Sequence, residues 1–427
     1  MLFKIYMIYD IIILGGGISG LYSAYKLLEE NKNLKILILE KNNYLGGRIK
    51  TFQKTINGNK FSFEEGAGRF NDNHKLLLQL IDDLGFKDNI INTPSITQFY
   101  PSSGYKKSNE IKFIGESPFL YIDKVIKYSK NDSKELQQKY TFIEYAKKIL
   151  GKDEIKFILD SFGYYKQLVS MNAYNAIYLF KDGMNQDLQF HGLSGGLNSI
   201  IRNIKDKIKS YDKTKILLKH DVNNIEYNSE NGLFSFYISE KNKVYKSKKC
   251  ILAIPKPDLI KFNILNPIKK ELNSIIYKSL CRIYAVFKKK DIWFKNINKT
   301  TTNNNSRYII PLNKEQGSIM ITYGDSKYAD YWNSLTEKLL LENIKKNMYN
   351  TYKLKINNPV FLKRFYWKCG TGMWLKNKDS TVLSKKILQP FPEILLYICG
   401  ENYSETQGWI EGALETSENV IKKITKS

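Results

Sequence analysis

Histidine and cysteine are the scarce residues of this 427-residue chain, which has three histidines (His74, His191, His220) and four cysteines (Cys250, Cys281, Cys369, Cys399). The cysteines stand far apart and form no CxxC pair, so the sequence offers neither a zinc site nor a disulfide framework, and no metal is expected. Long apolar runs are missing as well. No stretch approaches the ~20 apolar residues of a membrane span, and the apolar N-terminal MLFKIYMIYDIIIL runs into glycines without a small-residue cleavage site. The expectation is a cytoplasmic protein in a reducing compartment, with no membrane partner. Negative charge is also in short supply, 42 acidic residues against 67 basic ones, for a formal net charge of +25. That excess can serve nucleic acid, but the lysines are scattered and no basic block is longer than Lys288–Lys290. A solvated basic surface is the simpler reading, and nucleic acid is not expected as a partner.

What is present is an ordinary globular composition, 42% hydrophobic and 13% aromatic, in a chain long enough for two full cores. Tyr9 to Leu14 is a continuous apolar run, as in a strand buried on both faces of a parallel sheet. Leu21, Ala24, Tyr25 and Leu28 then recur at helical spacing, and LKILIL (34–39) is a second apolar strand. From about His74 to Arg202 the pattern is helical, with a hairpin expected near 97–115. Strand patterns follow in ILLKHDVNNIEYN, GLFSFYIS and KKCILAIP, then again over 275–330, and a helix is expected from about Trp409 to Lys426.

The first strand and helix are joined by Gly15-x-Gly17-x-x-Gly20. In that context the first glycine allows a tight turn, the second lets the backbone approach a pyrophosphate, and the third lets helix and strand pack closely. The helix N-terminus favours the anion. Glu40 ends the second strand, where a carboxylate accepts ribose hydroxyls and repels a 2′-phosphate. Gly46-Gly47-Arg48 adds a turn and a cation for the second face of the pyrophosphate. Near the C-terminus Gly400-Glu401 precedes Gly408-Trp-Ile-Glu-Gly-Ala413, another glycine turn opening a helix.

Taken in order, GGGISGLYSAYKL, LEKNNYLGGRIKT, FEEGAGRF, HGLSGGLNSI and ICGENYSETQGWIEGALETSENV resemble the flavin-dependent amine oxidase superfamily over nearly the whole chain. Within it the likeness is nearest to the L-amino-acid oxidases. The resemblance implies an α/β fold: a Rossmann-like FAD-binding domain (1–73, 190–260 and 390–427) interleaved with an α+β substrate-binding domain of mixed sheet plus helices (74–189 and 261–389). FAD contacts implied motif by motif are Gly15, Gly17, Ile18, Ser19, Gly20, Glu40, Lys41, Gly47, Arg48, Gly66, Ala67, Gly68, Arg69, Val222, Trp367, Gly400, Glu401, Gly408, Trp409, Ile410 and Ala413. A covalent flavin anchor at Cys369 does not match the family spacing, so the FAD is expected to be non-covalent.

For the substrate, the resemblance implies that Arg69 pairs with a carboxylate, that Tyr323 donates to it, and that Gly408 and Trp409 form the wall orienting the amine. The chemistry agrees, because guanidinium presents a planar fork to a carboxylate and a phenol adds a neutral donor. Two departures stand out. The family lysine near the flavin reads Arg282, which stays protonated and is a poor proton acceptor. The position of the family's histidine base reads Tyr174. The expected reaction is oxidative deamination of an L-amino acid to a 2-oxo acid, ammonia and hydrogen peroxide, with Arg282, Tyr323 and Trp409 at the chemistry. The partners are then the amine or amino acid and oxygen, and a homodimer is allowed for. The alternatives are a polyamine or monoamine oxidase, or a C–C desaturase or porphyrinogen-type oxidase.

Overall fold

The computed structural model describes residues 7–93, 97–102 and 113–426. The lead before the first strand and most of the hairpin expected over 97–115 lie outside the described residues. The apolar run forms the strand Ile8–Leu14, which pairs in parallel with Ile36–Leu39 on one side and Lys243–Leu252 on the other. Lys215–Leu217 extends one edge of this sheet, Asn224–Asn228 and Leu233–Ile238 extend the other, and Leu396–Ile398 pairs with Lys243–Leu252. One sheet thus draws strands from the start, the middle and the end of the chain. Helix Ile18–Glu30 follows the first strand, and its Leu21, Ala24, Tyr25 and Leu28 are buried as the spacing predicts. It packs against the C-terminal helix Ile410–Lys426, with Tyr22 donating to Glu418 (2.6 Å) and Ser417 to the Ser19 carbonyl (3.2 Å).

A second sheet runs in the order Phe361–Trp374, Ile275–Val286, Ser318–Asp325, Tyr308–Asn313, Thr300–Thr301 and Gln98–Phe99. Its second and third strands are antiparallel and set Arg282 directly opposite Tyr323. Short helices between Phe119 and Tyr178 cover it, and their apolar faces share one core with Leu280, Tyr284, Tyr308 and Phe365. Two small pieces connect the sheets: the hairpin Thr51–Ile56 with Asn59–Glu64, and a three-stranded sheet of Phe70–Asn71, Phe190–Leu193 and Ile90–Thr93. The fold is α/β. No helix among the described residues is long and apolar enough to cross a membrane.

Candidate active site

The glycine motifs that are far apart in sequence meet in space. Gly46 donates its N–H to the Gly16 carbonyl (2.8 Å), which lays the second glycine turn against the first. Gly20 is held so close that a Cβ there would stand 2.1 Å from the Gly15 carbonyl oxygen. At Gly17 the situation is reversed: a Cβ would meet no atom within 4 Å. Gly408, at φ +89°, faces open space in the same way. Helix Ile18–Glu30 begins at Gly17 with no side chain capping its first turn, so backbone donors adjoin the gap. Arg48 stands at this place, donating to the Gly370 carbonyl (2.8 Å) and pairing with buried Glu401 (2.9 Å). The second Glu401 oxygen accepts the Gly408 N–H (2.6 Å). Glu40 accepts N–H groups from Gly16 (2.7 Å) and Asn42 (2.8 Å), which anchors its carboxylate beside the turn. Open space, uncapped N–H donors and an adjacent guanidinium fit a dinucleotide pyrophosphate.

Around this cradle Ile18, Ile410 and Ala413 are buried, and the Ser19 hydroxyl donates to the Ala413 carbonyl (3.5 Å). Gly400 donates to the Thr416 hydroxyl (2.9 Å). Two expected contacts point elsewhere with their side chains. Lys41 pairs with Asp258 near the surface (2.7 Å), and Val222 packs in the core with Tyr9, Leu14 and Leu252.

The segment Gly66–Arg69 leads from the cradle to a second group of residues. Ala67 donates to the Arg48 carbonyl (2.9 Å), and a Cβ at Gly66 would lie 2.1 Å from that same oxygen. At Gly68 a Cβ would lie 2.7 Å from Nη1 of Arg282. Glycine is therefore needed twice for close approach, once to a backbone and once to a side chain. Arg282 is buried, donates to the Glu64 carbonyl (3.0 Å) and to the Tyr323 hydroxyl (3.3 Å), and lies 4.5 Å from the Tyr323 ring centre. Trp367 donates to the next carbonyl, Glu65 (2.8 Å).

Burial alone would lower the Arg282 pKa, but the phenols of Tyr323 and Tyr284 and the hydrogen bond to Tyr323 hold it above the ordinary arginine value. Burial also pushes up the phenols of Tyr164 and Tyr323. At Tyr323 the charges of Arg282 and Lys166, with hydrogen bonds from Arg282 and Tyr164, outweigh burial and leave it below an ordinary tyrosine. Tyr164 stays well above one, chiefly by desolvation.

Arg69 lies across the Phe190 ring (4.2 Å to its centre) with Trp409 beyond it (5.9 Å), and one nitrogen donates to the Tyr164 hydroxyl (3.5 Å). The Tyr164 ring in turn packs against Tyr308 (4.9 Å) and Tyr323 (5.3 Å). Arg69, Tyr164, Phe190, Lys299 and Tyr308 line one small cavity. No carboxylate lines it among the described residues. On the other side of Trp409 stands His74 (rings 4.7 Å apart), whose pKa burial and the Arg69 charge push down to about 3.

The structure thus brings Arg69, Trp409, Tyr323 and Arg282 into one neighbourhood. Tyr174 is not among them, since its ring lies under the Lys134 ammonium (5.2 Å), and the tyrosine against Arg69 is Tyr164. His191 is tied to Asp72 (2.6 Å) and Asn92 (3.0 Å) between short strands. Sequence reasoning passed over Tyr164, Phe190, Tyr308 and Lys299. In the structure Gly163 packs on Tyr308 so closely that a Cβ there would stand 1.9 Å from its ring, a contact that no sequence pattern announces. Lys299 has no local pattern that separates it from the other lysines.

Comparison with known proteins settles the family. The flavin containing amine oxidoreductase model matches residues 18–421. The chain belongs to that family. Its cofactor is FAD. Uncharacterized protein R188 of Acanthamoeba polyphaga mimivirus is 25% identical over 97% of this chain and 93% of its own. An L-amino-acid oxidase of Crotalus adamanteus is 21% identical over 98% of this chain and 87% of its own. Among solved structures, a redesigned putrescine oxidase superposes with a TM-score of 0.78 at 15% identity, covering 99% of this chain and 100% of that one. The last likeness speaks for the fold, which it matches from end to end. For an oxidoreductase of this family acting on amines, the cradle of Gly17, Gly47, Arg48, Glu401 and Gly408 is the candidate FAD site, and the Arg69 cavity the candidate substrate site.

Proposed function

We propose that this flavoenzyme oxidises the Cα–N bond of an L-amino acid to an imine, which water converts to a 2-oxo acid and ammonia, with oxygen as final acceptor giving hydrogen peroxide. The observation that carries the reading is Arg69, a guanidinium sandwiched against Phe190 near Trp409, bonded to Tyr164, and facing a cavity without a carboxylate among its described lining residues. An ammonium-bearing polyamine would meet repulsion there, and a carboxylate would meet a planar, charge-assisted donor. Bound FAD supplies the hydride acceptor. The chain supplies position and electrostatics: Arg69 and a phenol hold the carboxylate, and Trp409 and Phe190 form an aromatic wall. Arg282, fixed on the Glu64 carbonyl, keeps a permanent positive charge beside Tyr323.

The reading includes non-covalent FAD and domains divided at 1–73, 190–260 and 390–427 against 74–189 and 261–389. The Arg69→Ala variant, assayed by peroxide-coupled turnover, is expected to lose about 10- to 100-fold in kcat/KM on amino acids, the value of one hydrogen-bonded ion pair. Unchanged turnover of carboxylate substrates would remove the basis for the reading and favour a simple amine instead.

A further inference from the structure

Tyr164 joins the two ends of the candidate substrate site. Its hydroxyl accepts from Arg69 (3.5 Å) and donates to the hydroxyl of Tyr323. Yet it belongs to no helix or strand, standing in the short connection between the helices Lys152–Ser161 and Tyr165–Val169. Its place is set by two charged side chains, Arg307 and Asp325, which are fully buried and do not line the cavity.

Arg307 directly precedes the strand Tyr308–Asn313, and its Nη2 donates to the carbonyls of Leu159 (2.9 Å) and Phe162 (2.7 Å). Carbonyls at the end of a helix lack partners within it, and a cation is favoured there. Asp325 ends the strand Ser318–Asp325, two residues after Tyr323, and its Oδ1 accepts the Lys166 N–H (3.1 Å). The Tyr164 connection is thus fastened at 159 and 162 on one side and at 166 on the other. Each fastening comes from a strand that carries one of the other two phenols. Between them Gly163 lies against the Tyr308 ring with no room for a Cβ. Tyr328 packs on both Arg307 (4.6 Å) and Tyr165 (5.7 Å) at the same junction. The rings of Tyr164, Tyr308 and Tyr323 are held with their centres 4.9, 5.3 and 5.9 Å apart.

This arrangement is costly. Two charged side chains are removed from water where apolar residues of similar size would pack at less cost. Arg307 also takes a left-handed backbone, φ +54°, which a side chain of its size seldom adopts. What the two charges supply is direction: one guanidinium nitrogen on two carbonyls, and one carboxylate oxygen on one N–H. We propose that Arg307 and Asp325 are positioning residues of the substrate site, holding Tyr164 in line between Arg69 and Tyr323 so that the substrate carboxylate meets one preset group of donors. The inference rests on the amino-acid reading given above and extends it from the residues at the carboxylate to those that place them.

The test is a double-mutant cycle on the FAD-loaded protein, reading kcat and KM by peroxide-coupled turnover of whichever L-amino acid reacts fastest. Tyr164→Phe removes only the hydroxyl and is expected to lower kcat/KM about three- to tenfold, the value of one hydrogen bond. Asp325→Ala is expected to lose a similar factor, through KM more than kcat, because the carboxylate is held in ground state and transition state alike. In Asp325→Asn the amide oxygen still accepts the Lys166 N–H, and most of the loss is expected to be recovered. Arg307→Lys keeps the charge but not the reach to both carbonyls, and is expected to lose part of kcat/KM. The decisive comparison is the double variant: if Asp325 acts through Tyr164, adding Asp325→Ala to Tyr164→Phe costs no more than about twofold further. Losses that multiply in the double variant overturn this inference and leave the amino-acid reading standing. So does full kcat/KM in a folded, FAD-loaded Asp325→Ala protein. If Asp325→Ala does not load FAD, the same cycle built with Arg307→Lys decides by the same criterion. Absence of turnover with every L-amino acid takes down the amino-acid reading and this inference with it.

Discussion

Arg282 and Tyr323 show how single side chains set one another's chemistry. Both come from neighbouring inner strands of the second sheet, in register, and the hydroxyl of one accepts from the guanidinium of the other at 3.3 Å. A buried phenol ordinarily becomes harder to ionise, yet Tyr323 lies below the ordinary tyrosine pKa because Arg282 and Lys166 favour its anion. If protonated Tyr323 helps hold the carboxylate, activity falls as pH rises through that lowered pKa. Replacing Arg282 by Met removes the nearer cation, so the alkaline limb of flavin reduction is expected to move to higher pH. A pH profile of reduction rate in the two proteins checks this, and an unmoved limb would show that Tyr323 ionisation is not what the limb reports.

At the scale of elements, two glycines of the cofactor region make opposite predictions. A methyl at Gly66 would collide with the Arg48 carbonyl at 2.1 Å, a backbone atom that cannot step aside cheaply. Gly66→Ala is expected to lower the melting temperature of the protein even without FAD. A methyl at Gly17 meets nothing in the protein and needs no unusual backbone, since φ there is −76°. Gly17→Ala is expected to fold normally and to bind FAD more weakly, because its methyl enters the space assigned to the pyrophosphate. Melting curves of apo and FAD-loaded protein separate the two cases.

Much of this element-scale description was legible in the sequence. Continuous apolar runs and glycine spacing locate the first strand–turn–helix unit, because a parallel strand buried on both faces and a close phosphate turn leave composition little freedom. Arg69, Trp409, Tyr323 and Arg282 could be picked out because they sit in or beside recognisable motifs. Lys299, Phe190 and Tyr308 could not, since what brings them to Arg69 is packing of segments about 120 residues or more from it along the chain. The position matched to the family's histidine base, Tyr174, lies by Lys134 and away from Arg69, whose neighbour is Tyr164, because short helices with few charged residues give weak phase information.

For the whole molecule, the cofactor cradle draws on segments from both ends of the chain: Gly15 to Gly20 and Arg48 from the start, Glu401 and Gly408 from the end. FAD binding should accordingly report on global folding. FAD held without a covalent bond is expected to pass into the supernatant when the protein is precipitated with acid, where colour retained in the pellet would mean a covalent link. The same ligand, at 100 times its dissociation constant, stabilises the folded chain by about 2.7 kcal/mol, visible as a shift in melting temperature.

The basic surface bears on the site only through its overall field. With a net charge of +25 the molecule attracts anions at a distance, and at the cavity Arg69 continues the same preference at contact range. The most direct measurement of the central claim is anaerobic mixing of the FAD-loaded protein with a panel in which each L-amino acid is paired with its decarboxylated amine. The expected result is rapid bleaching of the flavin by at least one L-amino acid and none by the matching amine. Bleaching by amines that lack a carboxylate, with no response to any amino acid, would contradict the account.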